Sequence, residues 1–198
     1  MSAKRSDTEL AKGARSLDGI PAIPTMYRNI VFRSRLEARF AVLFDLFEWP
    51  WAYEPIDLFW YVPDFALLFE PGPIAVEIKP DLTLADLKVH AQRMVSAGWY
   101  EDLLVLGSVM HGDTIGLHGE PIGGNETILG PAEVFRCINC GRISVLNEDM
   151  SWRCRVSGCD GGRSHYGQLE HGELDSLWAA AGNRVQWNAP PPPKSWVR

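Results

Sequence analysis

Apolar residues recur at helical spacing between Phe32 and Phe47. Phe32, Leu36, Phe40, Leu43, Phe44 and Phe47 form one stripe, which predicts an amphipathic helix packed on a core and stopping before Trp49-Pro50. The pattern then changes. Trp51-Ala52-Tyr53-Glu54 is a short strand candidate, and Tyr61 to Phe69 and Ile74 to Lys79 are apolar stretches bounded by prolines. Glu70-Pro71-Gly72-Pro73 between them is a turn signal, so the two stretches predict a hairpin. The helical period returns from Thr83 to Ala97, with Thr83 as N-cap, Leu84, Leu87, Ala91 and Met94 as the stripe, and Gly98 as the C-terminal cap. Leu103-Leu104-Val105-Leu106 reads as a buried strand. The order helix, two or three strands, helix, strand predicts an α/β domain over residues 25–130, a mixed central sheet flanked by helices.

The remaining chain differs in kind. Residues 1–24 are polar and basic and read as a flexible arm. Residues 131–166 hold all four cysteines amid short polar strand candidates, and a last helix is expected from Leu169 to Ala181 within a C-terminal segment 167–188. The tail 189–198 is proline-rich and reads as extended. With 198 residues, 46% of them hydrophobic and 22% charged, the composition is that of a folded chain with one domain plus at most a small module. The longest apolar runs, such as Ala41 to Phe44, are broken within a few residues, so no membrane span is expected. Charges at Met1–Asp7 without an apolar run behind them predict no signal peptide and a cytoplasmic, reducing compartment, where cysteines more often bind metal than form disulfides.

The net charge of −6 argues mildly against a nucleic-acid partner until it is divided along the chain. Residues 1–39 hold 8 Lys/Arg and 4 Asp/Glu, residues 40–130 hold 3 and 14, and residues 131–198 hold 8 and 7. An acidic centre with basic flanks suits an enzyme that holds cations with carboxylates and phosphates with cationic arms. It equally suits a solvated acidic surface, so the placement of each carboxylate decides.

In the predicted hairpin, Ile74, Val76 and Ile78 face one way and Ala75, Glu77 and Lys79 the other. With residues 70–73 as the loop, Phe69 pairs with Ile74, Asp64 lies opposite Lys79, and Ala66 lies opposite Glu77. Asp64, Glu77 and Lys79 then converge at the open end of the hairpin. Charges on otherwise apolar strands cost stability, and two adjacent carboxylates repel unless a cation lies between them. Mg²⁺ (or Mn²⁺) takes one or two carboxylates and is completed by substrate phosphate, lowering the pKa of a bound water. Lys79 would position that water or stabilise developing negative charge, a recipe for phosphodiester hydrolysis. Glu37, at the edge of the first helix's stripe, either adds a ligand, directly or through water, or forms an i,i+4 pair with Arg33. Tyr53 and Glu54 border this region.

Pro63-Asp64 followed by Glu77-Ile78-Lys79 across a hairpin, with Glu37 upstream on a helix and another helix downstream, resembles the PD-(D/E)XK (restriction-endonuclease-like) nuclease superfamily. Phe32-Arg33-Ser34-Arg35-Leu36-Glu37-Ala38-Arg39 is similar to the opening helix of small phage and actinobacterial members and of TnsA-like transposon endonucleases. The resemblance spans residues 27–107. It implies a DNA endonuclease of a prokaryotic or phage-infected cell, with the catalytic metal bound by Asp64, Glu77 and the Ile78 carbonyl, Lys79 catalytic and Glu37 supporting. Lys88 and Gln92, at i,i+4 on the second helix, resemble the polar residues that some members place near the metal; otherwise they belong to a solvated face. Cutting two strands would require a homodimer or a partner protein, and no dimer signature is visible.

Cys137-x₂-Cys140 and Cys154-x₄-Cys159 form two knuckles separated by 13 residues, the pattern of a closed Cys₄ site for structural Zn²⁺. It resembles a zinc ribbon with a wider second knuckle, and His165 would replace Cys159 were that thiol not a ligand. Around it lie Arg136, Arg142, Arg153, Arg155 and Arg163, with Trp152 among them. Together with Arg33 these are the candidate DNA contacts, since arginines beside an exposed aromatic suit phosphate binding and base stacking. A ribbon that only stabilises or pairs subunits is the competing reading. For the whole chain the competitors of a nuclease are a non-catalytic DNA-binding or assembly protein on the same fold and a zinc-ribbon adaptor between proteins.

Overall fold

The computed structural model describes residues 22–58, 60–80, 83–123, 126–150, 152–156, 159 and 166–186. Most of the basic arm 1–24, the tail 189–198, Arg163 and His165 lie outside them.

The chain enters through a small hairpin, β1 (Thr25–Tyr27) and β2 (Ile30–Phe32), closed by Arg28-Asn29 at φ 49° and 63°. Two consecutive positive φ values give a turn whose twist matches the strands. Phe32 therefore belongs to a strand, and the helix α1 (Arg35–Leu46) starts later than its apolar stripe, at an N-cap on Ser34. The Ser34 hydroxyl accepts from the Glu37 N–H at 3.1 Å and donates to Glu37 Oε1 at 2.7 Å, a reciprocal cap that holds the Glu37 carboxylate at the helix entrance.

Three antiparallel strands follow, β3 (Trp51–Tyr53), β4 (Phe65–Leu67) and β5 (Ile74–Ile78). Helix α2 (Leu84–Ser96) has Thr83 as its N-cap and Gly98, at φ 93°, just beyond its end, as its sequence predicts. It returns the chain to β6 (Leu103–His111), parallel to β5. The order helix, three strands, helix, strand is the one expected from periodicity. The sheet then continues antiparallel through β7 (Thr114–Gly123), β8 (Glu126–Cys137) and β9 (Ile143–Asn147), with the two-residue β10 (Tyr166–Gly167) beside the end of β8. Strands β7 and β8 were not read from sequence because glycines and prolines interrupt their apolar pattern. At Gly116 the glycine is required by packing, since a Cβ there would lie 2.1 Å from the Val105 carbonyl oxygen.

The result is a mixed α/β fold in which one sheet is flanked by three helices. Helix α3 (Glu173–Val185), shifted four residues from the expected Leu169–Ala181, packs on α1, with the Arg39 guanidinium 3.6 Å from the Trp178 ring and donating to the Trp178 carbonyl. On the opposite face Leu87, Ala91 and Met94 of α2 pack on Ala75, Leu103, Val105 and Leu117.

The boundary expected at 130/131 falls inside β8. Ala132, Val134, Ile143 and Val145 share one buried core with Phe40 and Phe44, and Trp49 Nε1 donates to the Ile143 carbonyl at 2.8 Å. The cysteine-bearing segment thus extends the common sheet rather than folding beside it. Among the described residues, no helix is long and apolar enough to cross a membrane.

Candidate functional site

Strand β5 is buried along its whole length, so its alternation has consequences on both faces. Val76 and Ile78 join the core under α1, while Ala75 packs toward α2. Glu77 shares the face of Ala75 and is only 5% exposed. The β4–β5 register pairs Phe65 with Val76 and Leu67 with Ile74, which sets Asp64 opposite Glu77. The expected pairing of Asp64 with Lys79 is therefore corrected by two residues. Its cause lies in the connection. Pairing of β4 with β5 ends at Leu67: the Leu68 N–H faces β3, extending that ladder to the Pro50 carbonyl at 2.8 Å, and Phe69 turns onto the Trp49 ring at 5.4 Å, so the loop begins earlier. A shift of two preserves the face of every side chain, and the three charged groups still meet.

Asp64 is 3% exposed. Its Oδ2 accepts from the Ile78 N–H at 2.7 Å and its Oδ1 from Arg33 Nη2 at 2.5 Å. Burial above all, and then the neighbouring Glu77 and Glu37 carboxylates, push its carboxyl up to about 8, against the pull of Lys79 and the Ile78 N–H. Lys79, directly after β5, forms an ion pair with Glu77 Oε1, and its backbone N–H donates to the Leu106 carbonyl at 3.0 Å. Glu77 Oε2 is buried and has no hydrogen-bond partner among the described residues.

Glu37 reaches the same locality from the start of α1. Its Oε2 accepts from the Tyr53 hydroxyl at 2.7 Å and from the Arg33 N–H at 3.2 Å. Burial and then Glu37 raise the pKa of Tyr53. Arg33 does not simply form the i,i+4 pair with Glu37, which stands at 3.9 Å. It bridges Asp64 and Glu54, the latter at 3.0 Å. Burial works against its charge, but Asp64, Glu37 and Glu54 together hold it firmly protonated. Tyr61 was missed in the sequence. Its hydroxyl is buried beside Glu77 and Asp64 without a well-formed hydrogen bond, and burial, then Glu77, raise its pKa. Nothing in the periodicity marks it, because it lies in the irregular segment between β3 and β4.

Four carboxylates (Glu37, Glu54, Asp64 and Glu77) thus face two cations, Arg33 and Lys79. Asp64 and Glu77 are two buried carboxylates that could ligate a cation, but among the described residues the group of three or more metal-ligating side chains whose donor atoms come together is the four cysteines. Lys88 and Gln92 are both exposed on α2.

The second cluster is chemically simpler. The sulfurs of Cys137, Cys140, Cys154 and Cys159 all lie within 4.8 Å of one another, with Cys137 and Cys159 at 3.7 Å and Cys140 and Cys154 at 3.8 Å. A tetrahedral Zn²⁺ with ~2.3 Å bonds needs sulfurs about 3.8 Å apart. The four cysteines can hold a metal such as zinc. Burial pushes the Cys154 thiol up to about 12 and raises that of Cys137, so a cation is needed to draw the protons off.

The arginines near this cluster are less free than their sequence context suggested. Arg155 is 3% exposed and bound to Asp102 and Glu120, which removes it from any DNA-facing surface. Arg136 pairs with Glu173 and donates to the Gly141 carbonyl at 2.9 Å. Arg153 is 43% exposed with Asp102 at 3.8 Å, and Arg142 is half-buried and already partnered. Trp152 is exposed, packs on the Tyr166 ring at 5.3 Å and donates to the Glu148 carbonyl. These contacts follow from the continuous sheet, which turns toward the core arginines that an independent ribbon would display.

Compared with models of known protein families, with curated proteins and with solved structures, the chain matches none.

Proposed function

We propose that the protein is a metal-dependent phosphodiesterase acting on DNA, with an endonuclease core of the PD-(D/E)XK kind and a structural zinc site at the end of its sheet. The observation that carries this reading is two buried carboxylates, Asp64 and Glu77, set opposite each other on adjacent strands with Lys79 paired to Glu77 at the same end. Asp64, Glu77 and the carbonyl of Ile78 would hold Mg²⁺ or Mn²⁺, which when bound acidifies a water and offsets charge on the phosphate. Lys79, next to Glu77, orients the attacking water and stabilises the negative charge that builds on the phosphate. Arg33, paired with Asp64 and Glu54 at the half-exposed rim, would turn its guanidinium to a phosphate once a cation takes over those carboxylates. Glu37, fixed by Ser34 and Tyr53, keeps Arg33 and the helix entrance in position.

Linear, nicked, branched and single-stranded DNA incubated with Mg²⁺, Mn²⁺ or EDTA provides the test. Cleavage is expected only with metal, and Asp64→Ala or Lys79→Ala should abolish it while leaving zinc content intact. Undiminished cleavage by both variants overturns the assignment. A non-catalytic DNA-binding or assembly protein is the second reading, favoured by the ion pairs of Arg33 with Asp64 and of Lys79 with Glu77, which already offset part of the acidic charge. It requires equal DNA retention with Mg²⁺ and with EDTA, and no cleavage under either.

A further inference from the structure

Trp60 is 61% exposed, the most exposed of the described tryptophans. A large indole left in water forgoes its burial, and such side chains concentrate at binding sites. Two local backbone hydrogen bonds flank it. The Leu58 N–H donates to the Tyr61 carbonyl at 2.9 Å, and the Trp60 N–H donates to the Leu58 carbonyl at 2.8 Å. The neighbouring Tyr61 points the other way, packing against the core under α2 with its hydroxyl buried beside Glu77. The two rings meet edge to face, 6.1 Å between centroids. One end of this aromatic pair therefore touches the carboxylate site and the other projects into solvent.

Resting on the reading of those carboxylates as a phosphodiester site, we propose that Trp60 is a stacking platform for an unpaired nucleobase next to the scissile phosphate. The substrate class is then nucleic acid with single-stranded character at the cut: a single strand, a flap or a branch point. Bases inside a duplex are already stacked and gain nothing from the indole, whereas an unpaired base gains a full stacking contact.

The experiment measures binding of the full chain to a labelled thymidine oligonucleotide and to a blunt duplex by fluorescence anisotropy without Mg²⁺, and cleavage of both with Mg²⁺. Wild type, Trp60→Ala and Trp60→Phe are compared. Trp60→Ala should weaken single-strand binding roughly 5- to 100-fold and leave duplex binding within about twofold, while Trp60→Phe should retain most of the affinity. Unchanged single-strand affinity in Trp60→Ala, equal losses on both ligands, or no binding of either by wild type overturns the inference. Cleavage by wild type that Trp60→Ala leaves untouched overturns the stacking role alone. Loss of single-strand binding in Trp60→Ala, with no cleavage by wild type under Mg²⁺ or Mn²⁺, supports stacking and overturns the hydrolytic reading.

Discussion

Arg33 Nη2 lies 2.5 Å from Asp64 Oδ1, joining the residue before the α1 cap to the end of β4, 31 positions away. The same guanidinium meets Glu54 at 3.0 Å, so Arg33 gathers carboxylates from two elements at the rim of the site. Its side chain is 55% exposed, so solvent screens the pairs and the stabilisation is modest. Arg33→Ala should cost about 1 kcal/mol in chemical denaturation and, on the proposed phosphodiesterase reading, lower cleavage far more than that loss explains, because that reading gives Arg33 the phosphate as well. Arg33→Lys should recover the stability but not the activity, since an ammonium lacks the planar fork. Full activity in Arg33→Lys would remove Arg33 from phosphate binding.

The raised Asp64 carboxyl gives the protein a pH signature. Burial first, then Glu77 and Glu37, lift it from its ordinary value near 4 to about 8. The folded chain thus holds this proton more tightly than the unfolded chain. Its contribution to stability is complete below roughly pH 4 and is lost as pH rises toward 8. A divalent cation competes with the same proton, so apparent Mg²⁺ affinity should climb up to tenfold per pH unit below about 8 and then level off. Thermal denaturation of wild type and Asp64→Asn between pH 5 and 8.5 provides a check, because the variant lacks this titration and should lose less stability over the interval. Parallel curves for the two proteins would show that Asp64 titrates normally.

Residues 84–96 and the hairpin carboxylates were legible in sequence because helical period and strand alternation are local signals. The pairing of Asp64 was not, since it depends on where β4 stops pairing with β5, and there Phe69 is drawn off by Trp49 in another segment. Strand β7 was hidden for a related reason: Gly116 reads as a loop residue but answers to the Val105 carbonyl across the sheet. The cysteines were legible as a cluster from spacing alone, yet the surroundings were not. Arg155 looks like a surface cation until β6 and β7 bring Asp102 and Glu120 to it.

The four-cysteine cluster sits at the end of β8, which also runs through the main sheet, so metal removal should be felt beyond the knuckles. One zinc per chain is expected by elemental analysis. Cys154→Ser should lose the metal and more than about 3 kcal/mol of stability, because a site that forms only on folding returns its binding energy to the folded state. A strong chelator should lower the denaturation midpoint of wild type and leave Cys154→Ser unmoved. If the chelator shifts both alike, the cysteines do not hold the metal that matters.

Arg153 and Arg155 flank Cys154 and differ in what their loss should cost. Arg155 is buried against Asp102 and Glu120, and burial lowers its pKa despite those two partners. Asp102 is also buried in part, but His118 and Arg155 outweigh that effect and hold it below the usual carboxylate range. Burial keeps His118 itself neutral, so Arg155 carries the positive charge that this cluster needs. Arg155→Ala takes away the buried guanidinium shared by Asp102 and Glu120 and should cost about 3–5 kcal/mol. Arg153→Ala, at a half-exposed side chain 3.8 Å from Asp102, should cost less than about 1 kcal/mol. Adding Asp102→Asn to Arg155→Ala should return part of the loss, because the neutral side chain no longer leaves a partly buried charge without its guanidinium. Equal costs for the two arginines in urea denaturation, or strict additivity in the double variant, would show that the buried pair does not hold the Cys154 segment to the sheet.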